Sequence, residues 1–201
     1  MAWALQFDGV NDYLTPNGGN VTLAVGETFS LDVTPETGNS GGEYRLFGGS
    51  SSSDLISMKA TTIVLRIGST TNQLSAVTYT QPIVGQRFLF EITRDATGYD
   101  VDIDGGFIGR ATTTNALFFD RLGAIYNGDA FSGLIHSVQV GTRYDWDATA
   151  SSHTSGTPIL TDTISANNAT GVNMPTDGSA WVDLGGGGST LTAGSGTYLY
   201  T

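Results

Sequence analysis

Cysteine is absent from this sequence of 201 residues, which excludes disulfides, thiolate catalysis and cysteine-based zinc sites. Long apolar runs are absent too. No stretch approaches the ~20 apolar residues of a membrane-spanning helix, so we expect no membrane insertion. The opening Met1-Ala2-Trp3-Ala4-Leu5 lacks the basic region and the apolar segment of a signal peptide. We therefore expect the chain to be made in the cytoplasm.

Positive charge is scarce. Eight basic residues stand against 19 acidic ones, which gives a formal net charge of −11, and Lys59 is the only lysine. A surface of this sign repels the phosphate backbone of DNA and RNA. We expect no nucleic-acid partner.

Sustained helical periodicity is also missing, and period-two alternation takes its place. Phe88, Phe90 and Ile92 alternate with polar neighbours, which puts them on one face of a strand. A second alternating run ends at Asp104-Gly105-Gly106, residues that supply the positive φ of a tight hairpin turn. Short strands separated by turn residues predict an all-β fold with two antiparallel sheets in a sandwich and very little helix.

Two segments together resemble a known family. Ala4–Leu14 reads ALQFDGVNDYL, and Arg87–Val140 contains an Asp-Gly hairpin, then Ile108-Gly109, then a last strand that opens Phe131-Ser132-Gly133. This order resembles the laminin-G-like, concanavalin-A-like jelly-roll family. The resemblance implies a two-sheet jelly roll with its core at residues 1–140. Residues 141–201 would be a Gly/Ser/Thr-rich extension that packs on, or extends, the same domain.

The last strand of that block predicts a local irregularity. The family pattern places Ile135, Val138 and Val140 inward, whereas strict alternation selects Leu134 and His136 with Val138 and Val140. A β-bulge at His136-Ser137 reconciles the two patterns and turns both of these residues outward.

The function is open between two classes, because this fold hosts lectins, enzymes, adhesion modules and virion parts. Asn167–Gly171 and Met174–Val182 resemble the closing segment found after such jelly rolls in bacteriophage virion proteins. This resemblance implies a structural protein of the virion surface, made in the host cytoplasm. We expect a capsid decoration protein, with capsid or tail proteins of the same virion as partners and a homo-oligomer as a further expectation.

The alternative is a carbohydrate-binding or adhesin module that recognises glycans on a tail or a host surface. Exposed aromatic rings stack on sugar rings, and the candidate ligand-binding residues are Tyr126, Tyr144 and Trp146. The same rings could instead fill the core.

Catalysis has one candidate, the acidic strand with Asp100, Asp102 and Asp104 on one side. Related glucanases of this fold use carboxylates on one strand face, but their motif depends on glutamates. Asp104 also has a backbone reason to precede glycine in a turn, and Asp100 and Asp102 are interpreted as the solvent face of an exposed strand. We expect no enzymatic activity.

Calcium is the one candidate cofactor. Members of the resembled family often hold one calcium ion on a rim loop, and carboxylate and carbonyl oxygens are its preferred ligands. The candidate metal ligands are either Asp8, Asn11 and Asp12, or Asn127 and Asp129. The same side chains also form turns by hydrogen-bonding the backbone nearby.

Overall fold

A computed structural model describes residues 2–37, 43–50, 54–68, 70–74, 82, 84–125, 130–185, 190–193 and 196–199. In these ranges the regular structure is strand only, which confirms the all-β fold class. Nothing in them forms a helix that could span a bilayer. In chain order the strands are β1 (Trp3–Asp8), β2 (Tyr13–Pro16), β3 (Val21–Thr22), β4 (Thr28–Thr37), β5 (Tyr44–Gly48), β6 (Leu55–Met58), β7 (Ile63–Ile67), β8 (Thr70–Leu74), β9 (Phe88–Arg94), β10 (Tyr99–Ile103), β11 (Gly106–Ala111), β12 (Phe118–Phe119), β13 (Arg121–Leu122), β14 (Ser132–Val140), β15 (Tyr144–Asp147), β16 (Ile159–Asp162), β17 (Ala169–Val172), β18 (Trp181–Asp183), β19 (Thr190–Ala193) and β20 (Gly196–Leu199).

Fourteen of the strands form two antiparallel sheets, while β3 pairs with β12 and β19 pairs with β20. The first has the order β18-β1-β14-β4-β9-β10-β11, and the second has the order β17-β2-β13-β5-β6-β7-β8. Strands β15 and β16 connect them: β15 pairs with β14, and β16 pairs with both β15 and β17. The result is a jelly-roll sandwich, as the sequence predicts. Its two sheets are joined along one side.

Aromatic residues hold the two sheets together. Phe29 and Phe90 come from the first sheet, Phe47 from the second and Phe119 from β12, and all four are fully buried. The Phe29 and Phe47 ring centroids lie 4.2 Å apart, and Phe119 meets these two rings edge-on at 5.2 and 5.3 Å. Such pairs each contribute about 0.5–1.5 kcal/mol beyond the area they bury.

The predicted hairpin between β10 and β11 is confirmed. Ile103 pairs with Gly106, and the two residues between them, Asp104 and Gly105, have φ values of 52° and 74°. Positive φ at both central positions is the geometry whose twist matches a two-residue hairpin. The Asp104 carboxylate also accepts a hydrogen bond of 2.8 Å from the Leu89 backbone N–H, which ties the hairpin turn to β9.

The predicted bulge in β14 is confirmed as well. Ile135 pairs with Val33 and Ser137 pairs with Asp32, so His136 is the extra residue between two consecutive partners. Ile135 contributes to the main core, while Leu134 packs on the opposite face against Ala4. His136 points away from the core as predicted, yet it is only 6% exposed, because neighbouring strands wall it in.

Residues beyond Val140 contribute to both sheets. Strand β17 pairs with β2 at one edge of the second sheet, and β18 pairs with β1 at one edge of the first. The last described strands, β19 and β20, pair with each other. The domain division at residue 140 stays a prediction, because strand pairing does not test which part folds alone.

Candidate functional site

A cavity of about 290 Å³ opens on the outer face of the first sheet. It lies where β1 begins, where β14 bulges and where β15 runs alongside. Eight residues from four parts of the chain line it: Ala2, Trp3, Arg87, His136, Ser137, Asp145, Asp147 and Thr149. A concave site with several convergent polar groups has the general form of a ligand pocket.

Strand β15 supplies two carboxylates to this cavity. Trp146 points into the core, and the alternation of the strand therefore turns Asp145 and Asp147 outward. Asp145 Oδ2 accepts a hydrogen bond of 2.6 Å from the Thr163 hydroxyl, and Asp147 Oδ1 accepts one of 2.7 Å from the Thr149 backbone N–H. Within the described part of the chain, the second oxygen of each carboxylate accepts no hydrogen bond.

Arg87 brings positive charge to the cavity wall, but that charge is already paired. Its guanidinium donates two hydrogen bonds to Asp32, from Nε to Oδ1 at 2.8 Å and from Nη2 to Oδ2 at 2.5 Å. A bidentate pair of this kind fixes the orientation of both groups. The hydrogen bonds to Asp32 raise the pKa of Arg87 above its usual value, so the guanidinium stays charged.

The bulge in β14 places His136 at the back of the cavity. Its Nε2 lies 2.9 Å from the Thr34 hydroxyl, and its Nδ1 is buried without a hydrogen-bond partner. Burial lowers the pKa of His136 to about 4, and the nearby positive charge of Arg87 acts in the same direction, against the opposing charge of Asp32. At neutral pH the imidazole is therefore uncharged, and one nitrogen is left to donate or accept a hydrogen bond.

Trp3 borders the cavity and rests on an aromatic stack. Its ring lies 3.9 Å from the ring of His153, at an interplanar angle of 10°, and His153 meets Trp181 edge-on at 5.0 Å. The His153 Nε2 lies 2.7 Å from the Ala148 carbonyl oxygen, which orients the imidazole. The stack holds Trp3 rigidly beside the polar wall. The ring also packs on the core, and no local motif in the sequence signals its place beside the cavity.

Two of the three aromatic residues predicted to bind ligand, Tyr144 and Trp146, do not line this cavity. Trp146 is 0% exposed, and its Nε1 donates a hydrogen bond of 2.6 Å to the Asn167 carbonyl. The Trp146 prediction is therefore corrected: this ring is core and is closed to a sugar. Tyr144 is half-buried and stacks on Trp146 at 5.0 Å, on the side of β15 opposite the carboxylates. Tyr126 lies outside the described residues.

The carboxylates predicted to bind calcium near the N-terminus form a turn instead. Asp8 Oδ1 accepts a hydrogen bond of 2.7 Å from the Val10 N–H, and Asp12 Oδ2 accepts one of 3.0 Å from the Asp8 N–H. The Asn11 carbonyl accepts one of 3.1 Å from Asn173. Burial raises the pKa of Asp12 to about 6.

These three residues therefore do not fit a calcium ion, which takes six to eight oxygen ligands. Asp12 is 1% exposed, and its Oδ1 is the only carboxylate oxygen in this turn that is buried without a partner. No group of three or more His, Cys, Asp or Glu side chains in the described ranges could hold a metal ion. Asn127 and Asp129, the other predicted pair, lie outside those ranges.

The acidic strand β10 is occupied by structural contacts. The Asp100 carboxylate accepts a hydrogen bond of 2.6 Å from Arg110, and Asp104 belongs to the hairpin turn. Asp102 pairs across the sheet with Glu91. Burial, and then the negative charges of Glu91 and Asp100, raise the pKa of Asp102.

We expect Asp102→Asn to leave the fold intact and to change the free energy of unfolding at pH 7 by no more than about 0.5 kcal/mol. The sign should be towards higher stability, because a carboxyl whose folded-state pKa is raised is less favourable when ionised in the fold than in the unfolded chain. Urea denaturation at pH 7 measures the effect. The gain should disappear on acidification, since protonated Asp102 no longer repels its neighbours. A loss of more than about 1 kcal/mol, roughly twice the usual range for surface substitutions, would contradict the interpretation of Asp102 as a solvent-facing residue.

Comparisons with known proteins establish the fold. No family model matches the sequence, and no curated protein matches it either. Among solved structures, a protein of Bacteroides ovatus ATCC 8483 described as carbohydrate-binding superposes with a TM-score of 0.63 at 12% identity, over 85% of this chain and 58% of that chain. The native heptameric SAP-like pentraxin of Limulus polyphemus gives a TM-score of 0.50 at 14% identity, over 69% of this chain and 75% of that chain.

The likeness supports the predicted concanavalin-A-like jelly-roll sandwich. The chain spans less than two thirds of the Bacteroides protein, 58% of its length. At identities of 12% and 14%, the similarity concerns the fold, and a shared fold does not carry function with it. The function has to be argued from the cavity itself.

Proposed function

We propose that this protein is a carbohydrate-binding module, and that the cavity on the outer face of the first sheet is its binding site. The observation that carries the proposal is the pair of outward carboxylates, Asp145 and Asp147, in a cavity beside Trp3. One oxygen of each accepts no hydrogen bond from a described residue. Sugar hydroxyls donate to carboxylate oxygens, and the apolar face of a sugar ring packs on an indole. The cavity combines both kinds of contact.

The size and rigidity of the cavity support the same function. Its volume of about 290 Å³ is close to the lower limit of ~300 Å³ for small-molecule pockets, which suits one end of a glycan rather than a large cofactor. Its polar groups are held by partners on the sandwich itself: Thr163, Thr149, Asp32 and Thr34. A preorganised site loses little conformational entropy when a ligand binds.

The Bacteroides ovatus protein is described as carbohydrate-binding, which supports the proposal only as an analogy of fold. The absence of enzymatic activity stays a prediction. The cavity brings together two aspartates, a paired arginine and an uncharged histidine. This set is sufficient for recognition of hydroxyl groups.

The proposal is tested on a glycan array with the wild-type protein and the double variant Asp145→Ala/Asp147→Ala. We expect the wild type to bind at least one saccharide class. The double variant should lose at least about tenfold in affinity, since the net contribution of a hydrogen bond to a charged group is roughly 1.5–3 kcal/mol. The control is Asp100→Ala/Asp102→Ala, which removes the same charge from β10 and should bind like the wild type.

Two results would count against the cavity as the site. One is a wild-type protein that binds no saccharide on a broad array. The other is a double variant that remains folded by circular dichroism and binds as well as the wild type. Binding that is lost equally in the β10 control would indicate a general charge effect rather than recognition in the cavity.

A place on the surface of a bacteriophage virion is a second candidate for the biological setting. Its support is the closing segment of the sequence, whose residues form β17 and lead into β18. Capsid or tail partners and homo-oligomers remain predictions, and a glycan-binding site would be compatible with either. Mass spectrometry of purified particles tests this setting through co-purification at a fixed ratio to the major capsid protein. Failure to find the chain in particles would overturn it without affecting the cavity.

A further inference from the structure

We propose that the cavity selects saccharides that carry a free amine and rejects acidic ones, with a 2-amino-2-deoxy sugar such as glucosamine as the preferred unit. This inference rests on the proposed function and adds the chemical class of the ligand.

The described wall of the cavity contains one cation. Of the described residues that line it, Arg87 is the only lysine or arginine. The Nε–Nη2 edge of its guanidinium binds Asp32, and the Arg87–Asp32 ion pair offsets its charge locally. A carboxylate or sulfate on a ligand would have only the Nη1 side left to bind and would meet the negative charge of Asp32 beside it. Arg87 is therefore poorly placed to bind an acidic sugar.

The two carboxylates of the cavity keep their negative charge available to a ligand. Among the described residues, the donors to the Asp145 and Asp147 carboxylates are the uncharged groups Thr163 Oγ1 and Thr149 N. Neither aspartate appears in an ion pair with another described residue. Two negative charges thus face the cavity, and the whole chain adds a formal charge of −11. The local field and the long-range field both favour a cationic ligand.

The spacing of the two carboxylates suits an ammonium group. Same-face neighbours on a strand lie roughly 6–7 Å apart along the backbone, so an ammonium group between Asp145 and Asp147 could reach a free oxygen of each. An ammonium has three donors, so two of them suffice for the two carboxylates. His136 lines the same cavity at the bulge, and its Nδ1 is buried with no partner among the described residues. This second feature marks the cavity as a site with unused hydrogen-bonding capacity rather than a mere acidic patch.

The experiment compares oligomers that share one backbone and differ only in charge. Isothermal titration uses β-1,4-linked oligomers of equal length made of glucosamine, glucose, N-acetylglucosamine or glucuronate. We expect the glucosamine oligomer to bind at least about tenfold more tightly than the glucose oligomer, and the glucuronate oligomer to bind most weakly. The ratio of glucosamine to glucose affinity should fall towards one at about 1 M salt, because the Debye length is then only ~3 Å and charges are strongly screened.

Two isosteric variants separate charge from shape. Asp145→Asn and Asp147→Asn each keep an oxygen that can accept the Thr163 or Thr149 hydrogen bond, so the fold and the cavity should persist. We expect the ratio of glucosamine to glucose affinity to fall at least about threefold in each variant, while binding of glucose changes less. Asp102→Asn, which makes the same charge change on β10, should leave the ratio unchanged.

The possible outcomes separate this inference from the proposed function. Tighter binding of glucuronate or glucose than of glucosamine, lost in the Asp145→Ala/Asp147→Ala variant, overturns the amine preference and keeps the carbohydrate site. A preference for glucosamine that Asp102→Asn weakens as much as Asp147→Asn also overturns it, since the effect would then come from net charge. Binding of no oligomer, together with a blank glycan array, overturns both.

Discussion

Replacing Trp146 with alanine should lower the free energy of unfolding by about 3–5 kcal/mol, the usual cost of removing a large aromatic side chain from a core. Trp146 is fully buried and belongs to the main core, and its indole N–H is bonded to the Asn167 carbonyl at 2.6 Å. The alanine would leave a large cavity and an unpaired carbonyl next to the strands that join the two sheets. Equilibrium denaturation in urea, with linear extrapolation to water, measures the loss.

Tyr144 provides the matched control for Trp146. It lies two residues away on the same face of β15, but it is only half-buried, with Arg143 stacked over its ring at 5.1 Å. We expect Tyr144→Ala to cost about 1 kcal/mol, the centre of the distribution for single substitutions. Trp146→Phe should fold and should bind saccharides like the wild type, because the indole does not line the cavity. A Trp146→Phe protein of unchanged stability that no longer binds glycans would show that Trp146 is a ligand-binding residue.

The sandwich could be predicted from the sequence because its signals are local. The alternation of Phe88, Phe90 and Ile92 and the turn at Asp104-Gly105 each depend on a few neighbouring residues. The bulge could also be predicted, since Ile135 and Val138 are three residues apart, whereas inward residues of a regular strand are two residues apart. All of these features appear in the structure.

The cavity could not be predicted, because its residues are brought together only by strand order. Trp3, Arg87, His136 and Asp147 are far apart in the chain, and no motif links them. β15 shows the difficulty within a single strand. The alternation of Tyr144-Asp145-Trp146-Asp147 separates an aromatic face from an acidic face, but it does not say which face is buried. The aromatic face was predicted to bind ligand, whereas it is the acidic face that lines the cavity.

The turn from Asp8 to Asp12 shows a different limit. Carboxylates at this spacing can bind calcium or hold a backbone turn, and the residue types are the same in both cases. The choice depends on which N–H groups point at which oxygens. In the structure the N–H groups of Val10 and Asp8 occupy Asp8 Oδ1 and Asp12 Oδ2. The residue types alone do not decide between the two.

We expect Gly133→Ala to be at least as damaging as the loss of Trp146, with a cost of about 3 kcal/mol or more from overpacking and backbone strain together. Gly133 has a φ of 142°, and a Cβ at this position would lie 2.2 Å from the Thr34 carbonyl oxygen and 2.8 Å from the Pro35 Cα. Both contacts are with the backbone of β4, the neighbouring strand, so no side chain can move aside. This close approach gives a physical reason for glycine in the Phe131-Ser132-Gly133 opening of β14.

Gly105→Ala separates strain from steric contact. Gly105 also has a positive φ, 74°, but nothing lies within 4 Å of a Cβ placed there. We expect Gly105→Ala to cost about 1–2 kcal/mol, the usual penalty for a left-handed residue with a side chain. The difference between the two variants in urea denaturation then measures the contact between β14 and β4. Equal losses would mean that the strands can separate to admit a methyl group at Gly133. The adjacent bulge would then be less tightly held than the walls of a rigid binding cavity require.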